Sequence, residues 1–444
     1  MKNWVQRLSV PQSDLSGECY NGDDISWYEA VNTILGFQNA EHDYAIRIGL
    51  CDSDYTPGTF TINEISNTCR FLECPINFEE WISKAIDDEI ELIKKYYPSF
   101  YDPEVVRDIS PKIISILNRN SKNCTSLKNR IWYQEYPDII RRLILYLLID
   151  NPEQDLDIYP HLKNERSELI FDVLDLLEER NLELLDWLHL SIAAGLLGID
   201  EKTVHAATST IDTHIAICLP HSMGYTKFDV ERIANDLSNA AQSKYRIDAS
   251  NTFFQILDLN CSADFCIVSL VDDYLETIVL LKYYQKLLEK YPKIKIFCVP
   301  KSTVCGNDAT YEDVLNILKR IPALKNNNRF YVVPNGPNIG GCNLLKLNKD
   351  VLHLLNRSQL LDVRGARNYE MLQGINKETF FGFMVCREIS ESVTGLSADK
   401  LPFIYLHQPA KQKTFDKFKE RYKRIENGKM IALKTVMDNQ LKWE

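Results

Sequence analysis

Apolar residues recur along this chain in two different rhythms. From Phe78 to Gly198 the spacing is helical. FEEWISKAIDDEIELIKKYY, YPDIIRRLILYLLID and SELIFDVLDLLEERNLELLDWLHLSIAAGLLG place apolar side chains three and four residues apart, which predicts amphipathic helices. A further helix is expected around VERIANDLSNAAQSKY, after a less regular segment containing IAICLPH. The first sixty residues are polar, rich in Asp, Asn and Gly, and carry no period.

From Asp264 the rhythm changes. DFCIVSLV is a short continuous apolar run, followed by the helical DYLETIVLLKYYQKLLEKY and the apolar KIKIFCVP. The alternation continues through YEDVLNILKRI (helix), RFYVVP (strand), KDVLHLL (helix), QLLDV (strand), NYEMLQG (helix), FFGFMVC (strand) and FIYLH (strand). Unbroken apolar runs are the mark of strands buried on both faces, and their alternation with helices implies right-handed crossovers. The expected fold is therefore α/β: an open, mostly parallel, Rossmann-like sheet in the C-terminal half with a helical N-terminal domain. Residues 1–245 are assigned to the helical or cap domain and 246–444 to the α/β domain. Ligands of such sheets lie beyond the carboxyl ends of the strands, so residues just after each strand carry the interest.

Length and charge refine this picture. At 444 residues the chain exceeds what one core usually serves, in line with two domains. The 51 Lys and Arg against 62 Asp and Glu leave a net charge of −11, which argues against nucleic acid as a partner. The same balance looks unfavourable for phosphate ligands until the positions of the charges are considered. Twelve scattered cysteines without a CxxC, including the pairs Cys69/Cys74 and Cys261/Cys266, read as reduced thiols rather than a disulfide scaffold or zinc knuckles. MKNWVQRLSVPQSD lacks the apolar core of a secretory signal, and no run of about 18 apolar residues is present. A cytoplasmic protein without a membrane partner is expected. The segment Lys411–Glu444, with ten basic and five acidic residues, reads as a solvated helix packed by Phe415, Phe418 and Tyr422.

The strand ends hold the candidate chemistry. The first ends in Asp272-Asp273-Tyr274-Leu275-Glu276, a hard-oxygen cluster suited to Mg²⁺ or Mn²⁺ and equally able to cap the following helix. The second is followed by Pro300-Lys301-Ser302 and then Asn307-Asp308-Ala309-Thr310. The third ends in the glycine-rich Asn335-Gly336-Pro337-Asn338-Ile339-Gly340-Gly341, whose backbone N–H groups could meet an anion. After the fourth come Arg364-Gly365-Ala366-Arg367-Asn368-Tyr369-Glu370, and the fifth runs into Arg387. Arginines suit bidentate phosphate binding. A divalent metal on Asp272, Asp273 and Asp308 could bridge to a phosphate whose other oxygens meet those arginines.

In this order the motifs resemble those of the damage-control phosphatases, metal-dependent enzymes that include a subgroup described as acidic-residue methyltransferases. The resemblance covers about residues 264–396. It implies a divalent-metal-dependent phosphatase, with Mn, Mg, Co or Ni as cofactor and a small phosphorylated metabolite such as a sugar phosphate as substrate. It places Asp272 and Asp308 at the family's metal-ligand and catalytic positions and Asn338 in its substrate loop. Arg364 stands where the family has a phosphate-contacting Lys, and Asn368-Tyr369 match its Asn-Tyr pair. Asn307, Arg367 and Arg387 complete the expected substrate contacts. Asp273 stands where the family has Asn, Leu275 where it has Gly, and Thr277 where it has Glu, unless Glu276 serves instead.

Two other readings use the same residues. A non-catalytic regulatory protein would keep the fold after the changes at Asp273 and Leu275. A carboxyl methyltransferase using S-adenosylmethionine would need a glycine-rich loop directly after the first strand, where none stands. His205, His214 and His221 match no zinc spacing, and no nucleophile elbow, Walker A loop or GxGxxG follows a strand. NCT at Asn123 and NRS at Asn356 read as chance sequons, and Trp132, Tyr133 and Tyr136 as packing residues.

Overall fold

The computed structural model describes residues 44–52, 55, 78–96, most of 98–114, 136–148, 160–197, 225–243, 245, 247–260, 264–336, 340–372, 374–384 and 403–410. In chain order the helices before the sheet are α1 (Tyr44–Arg47), α2 (Phe78–Tyr96), α3 (Tyr136–Leu148), α4 (Pro160–Glu178), α5 (Leu184–Ala193) and α6 (Lys227–Gln242). The long apolar run from Ser167 to Gly198 is two helices rather than one. Asn181 adopts φ 51° between them, a left-handed conformation that Asn tolerates better than most residues, and Glu183 with Asp186 forms a capping box that starts α5.

The α/β half runs β1 (Ile247–Asp248), α7 (Ser250–Asn260), β2 (Phe265–Leu270), α8 (Tyr274–Lys290), β3 (Ile294–Val299), α9 (Tyr311–Arg320), α10 (Pro322–Lys325), β4 (Phe330–Val332), α11 (Lys349–Arg357), β5 (Leu360–Arg364), α12 (Ala366–Leu372), β6 (Thr379–Met384) and β7 (Phe403–Gln408). Among the described residues seven strands lie in the order β1-β7-β6-β5-β2-β3-β4, all neighbours parallel except β6 and β7. The expected open, mostly parallel sheet is present.

Period-2 alternation sends neighbouring side chains of each strand to opposite layers. Ile267, Leu360, Phe380 and Phe403 join a core with α4, α5, α6 and α8, while Val268, Leu361, Phe381 and Ile404 join one with α1 and α11. The first of these cores includes residues from both sides of the 245/246 division.

The chain winds from β2 outward through β3 and β4, then returns to lay β5 on the other side of β2. This is a topological switch point, where the loops leaving two adjacent parallel strands diverge and open a crevice. Leu270 pairs with both Val299 and Val363, so the adjacent strands β5, β2 and β3 end level with one another.

Candidate functional site

The segments leaving β2 and β3 are stitched together by backbone hydrogen bonds. Ala309 N donates to Asp272 O at 2.7 Å, Tyr274 N to Asn307 O at 2.9 Å, and Asp273 and Asp308 form an isolated antiparallel bridge. Asp272, Asp273 and Asp308 are thereby gathered at one strand tip, as expected from their positions in the sequence.

Their environments differ. Asp273 is the N-cap of α8: its Oδ1 accepts from Leu275 N at 2.8 Å and Glu276 N at 3.3 Å, and its Oδ2 accepts from the Asn307 side chain. Both oxygens are thus engaged, and Asn307 is a support for Asp273. By contrast, Asp272 Oδ1 and Asp308 Oδ2 are buried and accept no hydrogen bond. Burial, together with the Asp308 charge, pushes the Asp272 carboxyl up to about 7. Burial likewise lifts Asp273 to about 8 against the opposing N–H groups of Glu276 and Leu275. Glu276 is buried as well and held well above the carboxylate range, with Arg364 opposing.

Lys301 lies beneath this pair, 1% exposed, with Nζ 3.5 Å from Asp308 Oδ2 and 3.4 Å from Asn368 Oδ1. Burial opposes its charge, but Cys342, Asp308 and Asp272 outweigh burial and keep the ammonium above its ordinary range. Asn368 in turn donates to Arg364 O at 2.8 Å and Val271 O at 3.3 Å, tying the β5 turn across the crevice to β2. Gly365 makes this approach possible. It has φ +86°, and a Cβ there would fall 1.9 Å from Asp272 Oδ2.

The two arginines after β5 part company. Arg364 belongs to the alternation of Leu360 and Asp362, so it turns into the buried layer. Its Nη2 meets Asp362 Oδ2 at 2.9 Å and its Nη1 meets Ser191 Oγ at 3.1 Å. Tyr284 OH donates to the same Asp362 oxygen at 2.6 Å and contacts Ser269 Oγ at 2.6 Å. Arg364, expected at the phosphate, is therefore committed to a buried ion pair beneath the crevice. Arg367, at the start of α12, reaches the upper side. Its Nη1 lies 3.0 Å from Asp138 Oδ2, and the Asp272 and Asp308 charges also act on it. Asn338 and Arg387 lie outside the described residues, as do His205, His214, His221, Cys69, Cys74, Cys261 and the segment 411–444.

Two charged residues at this site escaped sequence reasoning. Asp138 comes from α3 in the helical half, and Lys301 stands in the sequence only as part of the loop after the second strand. Both carried one faint signal, a charge inside an apolar context: Asp138 in the stripe of YPDIIRRLILYLLID, Lys301 directly after KIKIFCVP. Four residues beyond Asp138, Arg142 Nη2 donates to Val304 O at 3.0 Å and to Thr303 Oγ1, so α3 is fastened to the β3–α9 loop too.

Among the described residues, no group of three or more His, Cys, Asp or Glu side chains is placed to hold a metal. The donor set does fit a hard divalent cation of the Mg²⁺ type, which takes one or two carboxylates and completes its shell with water and substrate oxygens. Asp272 Oδ1 and Asp308 Oδ2 are two such oxygens, both buried and accepting no hydrogen bond, the second ion-paired with Lys301 Nζ at 3.5 Å.

The class defined by fold and site is an open α/β protein with a carboxylate and cation cluster at the switch point of its sheet. No family model and no curated protein matches the sequence. Among solved structures, the chain is similar in fold to a DUF89 family protein from Pyrococcus horikoshii. The likeness has 16% identity and a TM-score of 0.52, and it spans 73% of this chain and 97% of that one. Among the described residues no helix is long and apolar enough to cross a membrane.

Proposed function

We propose that this protein is a divalent-metal-dependent phosphohydrolase acting on a small phosphorylated metabolite such as a sugar phosphate. The observation that carries the reading is the pair of buried carboxylate oxygens on Asp272 and Asp308 that accept no hydrogen bond at the switch point, with Arg367 beside them. The motif resemblance agrees with it, and the fold neighbour's DUF89 label denotes the same damage-control phosphatase family.

Asp272 and Asp308 would hold the cation, with Mn²⁺, Mg²⁺, Co²⁺ and Ni²⁺ as the ions to try. When bound, such a cation supplies Lewis-acid polarisation of a phosphoryl oxygen and neutralises developing charge. Arg367 and the Gly340 N–H bind the phosphate, with Asn338 and Arg387 as further substrate contacts. Lys301 fixes the Asp308 carboxylate and the Asn368 amide. Arg364 acts at one remove, by setting the turn that carries Gly365 and Arg367.

The test is phosphate release from a panel of small phosphoesters with each of the four cations. Metal-dependent turnover by the wild type, abolished in Asp308→Asn, is expected. No turnover with any ion, or full turnover by the variant, rejects the reading. Lys301 against Asp308 favours a second reading, a non-catalytic protein whose carboxylates are neutralised by its own ammonium. Purified protein that contains no metal and gains no thermal stability from any of the four ions would select it.

A further inference from the structure

The groups assigned above to the substrate phosphate are already taken by a carboxylate of the same chain. Asp138 Oδ2 accepts from Gly340 N at 2.8 Å and from Arg367 Nη1 at 3.0 Å. The Asp138 carboxylate is nearly inaccessible, with 3% side-chain exposure, whereas the Arg367 side chain keeps 28%. The contact is built into the backbone: a Cβ on Gly340 would fall 2.0 Å from Arg367 Nη1 and 2.5 Å from Asp138 Oδ2. Only glycine there lets amide, guanidinium and carboxylate meet.

A backbone N–H and a guanidinium N–H converging on one anionic oxygen are the donors a phosphoryl oxygen would take. Resting on the phosphohydrolase reading, we infer that Asp138 is an internal occupant of the phosphate subsite, so that α3 holds the site in an autoinhibited state. A phosphate dianion and the Asp138 carboxylate cannot share these donors, because two anions in contact repel and each would leave the other underpaired. Substrate entry then requires the first turn of α3 to release Gly340 and Arg367. The Arg142 contacts to Thr303 and Val304, one turn further along, remain as the pivot. Phosphate affinity is lowered by the fraction of molecules in the closed form.

The inference is tested by calorimetric titration of inorganic phosphate into the full-length wild type and into Asp138→Asn, which keeps the shape and removes the charge. Asp138→Asn is expected to bind phosphate about ten-fold more tightly, in the ordinary range of a coupling between two states. Arg367→Ala should lose the binding. Equal or weaker binding by folded Asp138→Asn, or no binding by either protein, overturns the inference. Should the variant fail to fold, hydrogen exchange of the wild type decides. Saturating phosphate should speed exchange in residues 136–148, and unchanged or slower exchange overturns the inference. Tighter phosphate binding without turnover on any phosphoester would remove the phosphohydrolase reading and leave Asp138 as the plug of an anion site. Asp308-dependent turnover with no tightening would do the reverse.

Discussion

Asp272 and Gly365 are a single device made from two residues. The carboxylate lies where any Cβ on residue 365 would be, and φ at that position is +86°. Gly365→Ala therefore costs more than backbone strain of about 1–3 kcal/mol, because Asp272 must also move. A lowered melting temperature and loss of thermal stabilisation by Mn²⁺ are expected together, and a variant that keeps the Mn²⁺ response would contradict the cradle. The raised carboxyls set a pH dependence. Asp272 at about 7 and Asp273 at about 8 retain protons that an unfolded chain would release, so their contribution to stability is full below the ordinary carboxyl value of 3.8 and is lost progressively as pH rises from there to about 7 and about 8. A cation at Asp272 competes with those protons. The gain in melting temperature on adding Mn²⁺ should accordingly grow between about pH 6 and about pH 8, and a flat profile would remove Asp272 from the metal site. Asp273 behaves differently, since both its oxygens are spent on α8 and Asn307. Asp273→Ala should cost about 1–2 kcal/mol of stability as a lost cap, while folded variant still responds to Mn²⁺. Thermal melts with and without the ion separate the two effects.

At the scale of elements, most of the α/β half was legible because its signals are local. An unbroken apolar run such as FCIVSL lies between two layers, and the apolar spacing of YEDVLNILKRI marks α9, which the structure starts with a capping box of Thr310 and Asp313. What stayed hidden depends on distant partners. The two residues of β1 are too short for any period, and the direction of β7 is defined only by its pairings, antiparallel to β6 and parallel to β1. The fate of Arg364 was legible only as a parity. Counted from Leu360 along β5, it must face the α5 and α8 layer, where Asp362 awaits it. Asp138 could not have been placed, because its partners stand about 200 residues away. The buried pair makes its own prediction. Tyr284→Phe removes a hydrogen bond to a buried carboxylate, for which about 1.5–3 kcal/mol is expected, and leaves the strand-tip oxygens untouched. Denaturant unfolding should register that loss while the Mn²⁺ response is unchanged, and a lost response would mean that the layers beneath and at the tip are coupled.

For the whole molecule, the charge of −11 says little about the crevice, where Lys301 and Arg367 stand among the carboxylates, with Arg364 in the buried layer beneath. The shared core has the wider consequence. Leu169, Trp187, Ile192 and Leu237 from the helical half pack in one cluster with Leu275, Tyr283, Phe380 and Tyr405 from the α/β half. Production of residues 246–444 alone would strip α4, α5 and α6 from that core and leave α8 and part of the sheet face exposed, and an apolar patch of this kind drives aggregation. The fragment is expected in inclusion bodies, with solubility restored when residues 1–245 are made in the same cell; a soluble, cooperatively melting fragment would show the halves to be independent. Heritable changes in α4 to α6 should then be felt first as reduced abundance of the protein, long before they alter what it recognises.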